Sequence, residues 1–295
     1  AGNLDDVNEK ADLFILRDWR YSIEEIGRFR KRNRHVPVGA MLFHAPMHYV
    51  QAQQAGEASY LMGVCAESLN DKEAAIGFYE QTTHRYAGTH EGLAAYLHLA
   101  ELLRKNGRTE EALIAYRTAL RSVSSPEDFR NRWISLEGFR KYVLDAWNDW
   151  VDEAKIKNGV TYFSAAIQLS EYLPPLLPEV QARELAANAN RRWAEYLERS
   201  YEQTTVSERE RLKHELQDHW IQSGKAYYEL ARRLKTTDRY GEILSISAEH
   251  FQKGQDYETA LKVLTRFINI NPDKKMPQAL VRRGEILLEL DQLDE

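Results

Sequence analysis

The stretch "HAPMH" places His44 and His48 four residues apart, the spacing at which two imidazoles on one helix face can share a metal ion. Pro46 between them fits best at a helix start. That leaves His44 outside the helix, and no acidic or cysteine ligand follows at a useful spacing. No metal site is expected. The run "RFRKRNRH" (Arg28 to His35) could hold phosphate, but it reads more simply as the last turn of a helix, where cations complement the macrodipole. "PLLP" (Pro175 to Pro178) matches a minimal PxxP ligand and is better read as an interhelix loop. Trp147 and Trp150 in "AWNDW" are spaced as core aromatics on one helix face, with the exposed-anchor reading second. The lone Cys65 sits on an apolar stretch with no activating neighbour. There is no Gly-rich phosphate loop, nucleophile elbow or HExxH. The expectation is therefore no catalytic residue, no cofactor and no enzyme.

The elements that carry these residues are helices. The 295 residues include only 8 Pro and 15 Gly, and apolar residues recur with a 3.6-residue period while alternating runs are almost absent. With 43% hydrophobic and 29% charged residues the chain is globular. A net charge of −5, with only Phe29 interleaving the basic run, argues against a nucleic-acid partner. No apolar stretch is long enough to form a transmembrane segment. The start "AGNLDD" reads as a trimmed end, so the compartment stays open between cytoplasm and periplasm.

Set "NDKEAAIGFYEQTTHRY" (Asn70 to Tyr86) under "GRTEEALIAYRTALRSV" (Gly107 to Val123), and Ala75 aligns with Ala112, Ile76 with Leu113 and Tyr79 with Tyr116. "DYETALKVLTRFININP" (Asp256 to Pro272) supplies Ala260, Leu261 and Leu264 at those places. Each copy follows a helix with a small residue in mid-face: Gly63, Ala100 and Ala248. Small residues on both partners let paired antiparallel helices cross closely, and the aromatic or Leu one turn on fills the gap to the next pair. No pair can bury its apolar face alone, so the pairs must stack.

On these residues the chain resembles a tetratricopeptide repeat (TPR) protein, whose helix–turn–helix unit is about 34 residues. The first two copies are 37 residues apart (Ala75 to Ala112), and only the third keeps a closing Pro, Pro272. The resemblance implies an all-α, α/α superhelical TPR-like solenoid of antiparallel helix pairs. It also implies a non-catalytic interaction scaffold that binds a protein or peptide segment in a groove lined by each first helix. Mapped by pattern, the groove takes Tyr60, Val64 and Glu67, then Leu97, Glu101 and Arg104. Farther on it takes Ile221, Lys225 and Tyr228, then Ser245, Glu249 and Gln252, then Val281, Glu285 and Leu288. Tyr60 and Val64 stand where a carboxylate-clamp TPR domain carries Lys and Asn, so no such clamp is expected. The mixed apolar and acidic lining suits an amphipathic or basic segment. Two other functions stay open: an envelope-associated TPR protein that helps assemble secretion, cell-wall or outer-membrane machinery, and, last, an α/α-repeat enzyme.

The expected organisation is an N-terminal helical cap (1–55), two TPR repeats (56–125), degenerate pairs or an insertion (126–217) and further repeats (218–295). "SIEE" (Ser22 to Glu25) is a capping box in the first segment. In the third, Ser125 and Pro126 are expected to open a helix, a run from Glu179 is expected to reach about Tyr201, and a helix from Ser207 is expected to break near Gly224. At the end, "LLELDQLDE" stops where a second helix should begin, so a severed repeat is expected. Ile286, Leu287 and Leu290 would then be uncovered and open to self-association.

Overall fold

In the computed structural model, residues 52–154, 159–270 and 276–291 are described. They form eleven helices with no strand among the described residues: α1 (Ala52–Ser68), α2 (Lys72–Arg85), α3 (His90–Lys105), α4 (Thr109–Arg121), α5 (Leu136–Glu153), α6 (Val160–Tyr172), α7 (Glu179–Gln203), α8 (Val206–Arg233), α9 (Arg239–Lys253), α10 (Tyr257–Ile270) and α11 (Met276–Glu289). The chain is all-α; within α1–α4 and within α6–α11, successive helices pack on one another, as antiparallel pairs do. The basic run, the capping box and the His44/His48 pair lie outside the described residues.

The turns explain the repeat. Asn70, Gly107 and Gln255 follow α1, α3 and α9 with φ of 57°, 75° and 62°. At each, the next amide reaches back five residues: Asp71 to the Ala66 carbonyl, Arg108 to Leu103 and Asp256 to Phe251, all at 2.9 Å. A left-handed residue with this bond is a Schellman ending, which turns the chain sharply into an antiparallel partner. Asp291, with φ of 54°, takes the same conformation after α11. These turns mark α1, α3 and α9 as first helices of pairs. Asp71 then caps α2 by accepting from the Ala74 amide (3.2 Å), and Thr89 caps α3 by accepting from Gly92 (3.1 Å).

Two compact units divide the chain, with the main border between Tyr142 and Val143, inside α5. Unit 1 holds α1–α4 and the start of α5; unit 2 holds the rest of α5 and α6–α11. In unit 1, Ala75, Ala100 and Ala112 are fully buried. A Cβ on Gly63 would stand 2.4 Å from the Tyr79 ring, so only glycine lets α1 and α2 close to this distance. In unit 2, Ala248 and Ala260 are buried within a core built on Leu230, Leu244, Phe251, Leu264 and Phe267. Trp147 and Trp150 are core residues, as their spacing predicts. Leu176 and Leu177 are buried too, so the "PLLP" turn is anchored in the core and is not free to act as a ligand.

Several sequence expectations are corrected. No helix opens at Pro126: residues 122–135 are helix-free and α5 starts at Leu136, with Ser135 Oγ accepting from the Gly138 amide. Nor does α8 break at Gly224; it runs for 28 residues. Gly224 instead seats the Phe251 ring of α9, which a Cβ would approach to 3.0 Å. On α11, Ile286 is fully buried and Leu290 packs on the core, because they face α10. The large apolar side chains exposed there are Leu280, Val281 and Leu288, one face around Gly284.

Candidate functional site

The densest polar construction among the described residues lies in unit 1, where α1, α3 and the start of α5 meet. Three of its members come from helical spacing alone, since Tyr60, Val64 and Glu67 occupy one stripe of α1. Glu67 accepts from the Tyr79 hydroxyl of α2 (2.8 Å) and bonds Nδ1 of His98 on α3 (2.9 Å). Nε2 of His98 meets the Tyr60 hydroxyl at 3.3 Å. With Nδ1–H donating to the carboxylate, Nε2 is left to accept the Tyr60 proton. The rings enclose one another: His98 stacks on Tyr79 (5.3 Å between centroids), and Tyr142 of α5 lies 5.7 Å from His98. Trp133 lies 4.9 Å from Tyr60.

Burial alone would raise the Glu67 carboxyl, but hydrogen bonds from His98 and Tyr79 outweigh it and hold the group below the usual carboxylate range. Burial, reinforced by nearby carboxylates, pushes the Tyr60 and Tyr79 hydroxyls well above their ordinary value and Tyr142 up to about 12. All three phenols stay protonated, so the chain Tyr60–His98–Glu67–Tyr79 presents donors around a fixed negative charge and holds no activated nucleophile.

A second cluster ties the 122–135 segment to α3. Glu91, in the first turn of α3, accepts from Trp133 Nε1 (2.8 Å) and from Arg132, which also pairs with Glu57 of α1 (3.1 Å). Asn131 Nδ2 donates to the His90 carbonyl (2.9 Å). Burial raises the Glu91 carboxyl, and the Trp133 and Arg132 bonds lower it further than burial raises it. Farther along α3, Glu101 accepts from Arg104 (2.8 Å), Lys105 (2.9 Å) and Tyr116 (3.1 Å).

Comparison with known proteins bears on this unit. Two family models described as tetratricopeptide repeat match residues 57–89 and 93–122, the helix pairs α1–α2 and α3–α4. The chain carries tetratricopeptide repeats. No curated protein matches it. Among solved structures it is similar to the P58(IPK) TPR domain at 15% identity, over 92% of this chain and 88% of that one. The TM-score is 0.29, which carries no argument about arrangement. TPR repeats mark a protein–protein interaction scaffold, typically a non-catalytic one with protein partners. No helix among the described residues is long and apolar enough to cross a membrane.

The structure sorts the expected TPR groove residues. Val64, Glu67 and Glu101 are half-buried on the first-helix face of unit 1. Leu97 is fully buried, and Tyr60 and Arg104 nearly so, which removes them from any contact surface. Periodicity cannot tell a groove position from a core position when neighbouring first helices pack side by side. In unit 2, Glu249 and Gln252 of α9 bond Arg282 (3.1 Å) and Glu285 (3.3 Å) of α11, so these groove positions face each other across adjacent first helices. Ser245 is half-buried, while Val281 and Leu288 are exposed.

Ile221, Lys225 and Tyr228 are a correction. Because α8 continues unbroken from Val206, no separate first helix starts near 218, and α8 is the second helix of the α7–α8 pair. Tyr228 accordingly accepts from Arg266 (2.6 Å) on α10, another second helix. Lys225 lines a cleft of about 590 Å³ between α6 and α8 with α7 as its floor. Sequence reasoning missed His98, Trp133 and Tyr142; the one available signal was His98 one residue after Leu97, on a stripe read as core.

Proposed function

We propose that unit 1 holds a basic segment of a partner protein on the face formed by α1 and α3, with Glu67 as the anchor. The observation that supports this is a difference among its carboxylates. Glu91 is matched by Arg132, and Glu101 by Arg104 and Lys105. Glu67, with its side chain 32% exposed, has only His98 and Tyr79 as hydrogen-bond partners and stays ionised. Lys105 also acts on Glu67 through space, but its ammonium is ion-paired with Glu101 at 2.9 Å. A partly desolvated carboxylate that only shares a cation attracts an incoming Lys or Arg more strongly than a solvated one does. The half-buried Tyr142 ring supplies a face for the aliphatic stem and for cation–π contact, while Trp133 is already engaged by Arg132 (5.0 Å to the ring centroid) and Tyr60 (4.9 Å).

The test is fluorescence anisotropy with a labelled lysine- and leucine-bearing amphipathic peptide. Glu67→Gln should weaken binding by about tenfold, the loss of one charged contact of about 1.4 kcal/mol. Glu111→Gln, on the exposed side of α4, should leave it unchanged. Equal binding by the parent and Glu67→Gln would remove Glu67 from the site.

A further inference from the structure

The cleft on the second-helix side of unit 2 is independent of the α1–α3 face. Its walls are α6 and α8, which both pack on α7. The gap exists because the residues at its base are small: Ala182 and Ala186, one turn apart on α7, and Ala226 on α8. From Glu179 to Asn190 the floor covers about 17 Å at 1.5 Å per helical residue, the reach of roughly five residues of extended chain. Past Glu229 a smaller pocket of about 280 Å³ follows, lined by Arg232, Arg233 and Lys235 at the end of α8.

Charge is distributed unevenly along this path. Five cations line it (Arg183, Lys225, Arg232, Arg233, Lys235) against three carboxylates (Glu171, Glu179, Glu229), a local surplus of two positive charges on a chain of net charge −5. The single Glu179 carboxylate serves both Arg183 (3.0 Å) and Arg233 (2.9 Å), while Glu229 takes Arg232 (2.9 Å). Helix dipoles do not cancel the surplus. α7 begins and α8 ends at the Glu179–Lys235 mouth, so the partial charges of about +0.5 and −0.5 offset each other. The opposite end, at Asn190, Gln222 and Ile167, carries no charge.

We propose that this cleft binds an extended segment of a partner protein, with small residues over the alanine floor and acidic side chains toward Lys225 and the Arg232–Lys235 mouth. Contact with the alanines requires small side chains, and the uncompensated cations select carboxylates. Such a site would let one chain hold two chemically opposite segments, a basic one on unit 1 and an acidic one on unit 2.

The probe is a fluorescein-labelled peptide of alanines followed by glutamates, read by anisotropy on the whole chain. Its controls replace the glutamates by lysines, or the peptide by oligothymidylate of equal charge. The glutamate peptide should bind and weaken as salt rises, and the lysine peptide should not bind. Lys225→Glu with Lys235→Glu, both on exposed side chains, should cost tenfold or more in affinity. Ala186→Trp, which fills the floor, should do the same, and Glu111→Gln, on the exposed side of α4, should change nothing. A loss smaller than tenfold in either cleft variant, absence of binding by the glutamate peptide, or equal binding of the lysine peptide would overturn the proposal. Tighter binding of oligothymidylate would overturn the peptide occupant in favour of a nucleic-acid surface.

Discussion

Unit 1 and unit 2 use the same small-residue crossing and put their polar groups in different places. In unit 1 the four helices α1–α4 are 13 to 17 residues long, and the buried tyrosines send their hydroxyls to carboxylates on the first-helix face. In unit 2, α7 and α8 reach 25 and 28 residues, and a polar pair between α8 and α9 is sealed inside. His250 is 4% exposed, bonds Ser223 Oγ at 3.0 Å and lies between the Trp220 and Tyr227 rings. The difference goes with helix length and with where the alanines lie. In unit 1 the second-helix tyrosines reach the first-helix face, and in unit 2 Ala182, Ala186 and Ala226 line the cleft on the second-helix side.

Acid should separate the two units first, and by the largest margin. Burial, and then Lys253, holds the His250 imidazole down to about 3, far below its ordinary 6.5. The unfolded chain therefore binds an extra proton between these values, and unit 2 loses stability as pH falls from 6.5 toward 3. The slope approaches about 1.4 kcal/mol per pH unit. In unit 1 the depressed groups are Glu67, Glu91, Glu101 and the exposed Glu111, whose stabilisation is present above the ordinary carboxylate value of 4.5 and is lost as pH falls through their lower folded values. Hydrogen exchange at pH 5 should show unit 2 opening more readily relative to its pH 7 state, with unit 1 unchanged. Ser223→Ala with His250→Phe should reduce the slope of unit 2, leaving the part carried by His219, whose imidazole burial also holds below its ordinary value.

A smaller effect separates two glycines at the same repeat position. Gly63→Ala drives a Cβ to 2.4 Å from a buried tyrosine ring and should cost about 1–3 kcal/mol. On α11, a Cβ at Gly284 meets nothing within 4 Å, so Gly284→Ala should stabilise by about 1 kcal/mol through helix propensity alone. Chemical denaturation of both variants checks this, and equal costs would dissolve the distinction between a closed crossing and an open one.

Smaller again is the turn. Gln255 holds φ of 62° where Gly107 holds 75° in unit 1. Gln255→Gly should stabilise by about 1 kcal/mol and Gly107→Ala should destabilise by a similar amount, as left-handed backbone favours glycine. Thermal melts that shift in the same direction for both would contradict the shared turn geometry.

Much of the fold was legible because it rests on residue size at fixed spacing: Gly63, Ala75, Ala100, Ala112, Ala248 and Ala260 all sit at helix crossings. What could not be read were choices between two uses of one residue type. Gly224 was expected as a break and serves as a seat for Phe251, so the helix count shifted and Ile221, Lys225 and Tyr228 moved to the second-helix side. Ser125–Pro126 carries a helix-start signal, yet Asn131, Arg132 and Trp133 gain more by binding His90 and Glu91, so the chain stays irregular there. Leu97 and Tyr60 occupy the same repeat position and both are buried, where the pattern alone placed them in the groove. Such long-range contacts leave no local period to detect.

The central claim is that the two units offer chemically opposite open faces on different helix sets. Hydrogen exchange of the whole chain with the lysine–leucine peptide, and separately with the alanine–glutamate peptide, tests it most directly. The account requires the first to protect α1 and α3 around Glu67 and His98, and the second to protect α7 and α8 from Glu179 to Glu229. Protection of the same helices by both peptides, or of neither face by either, would contradict it.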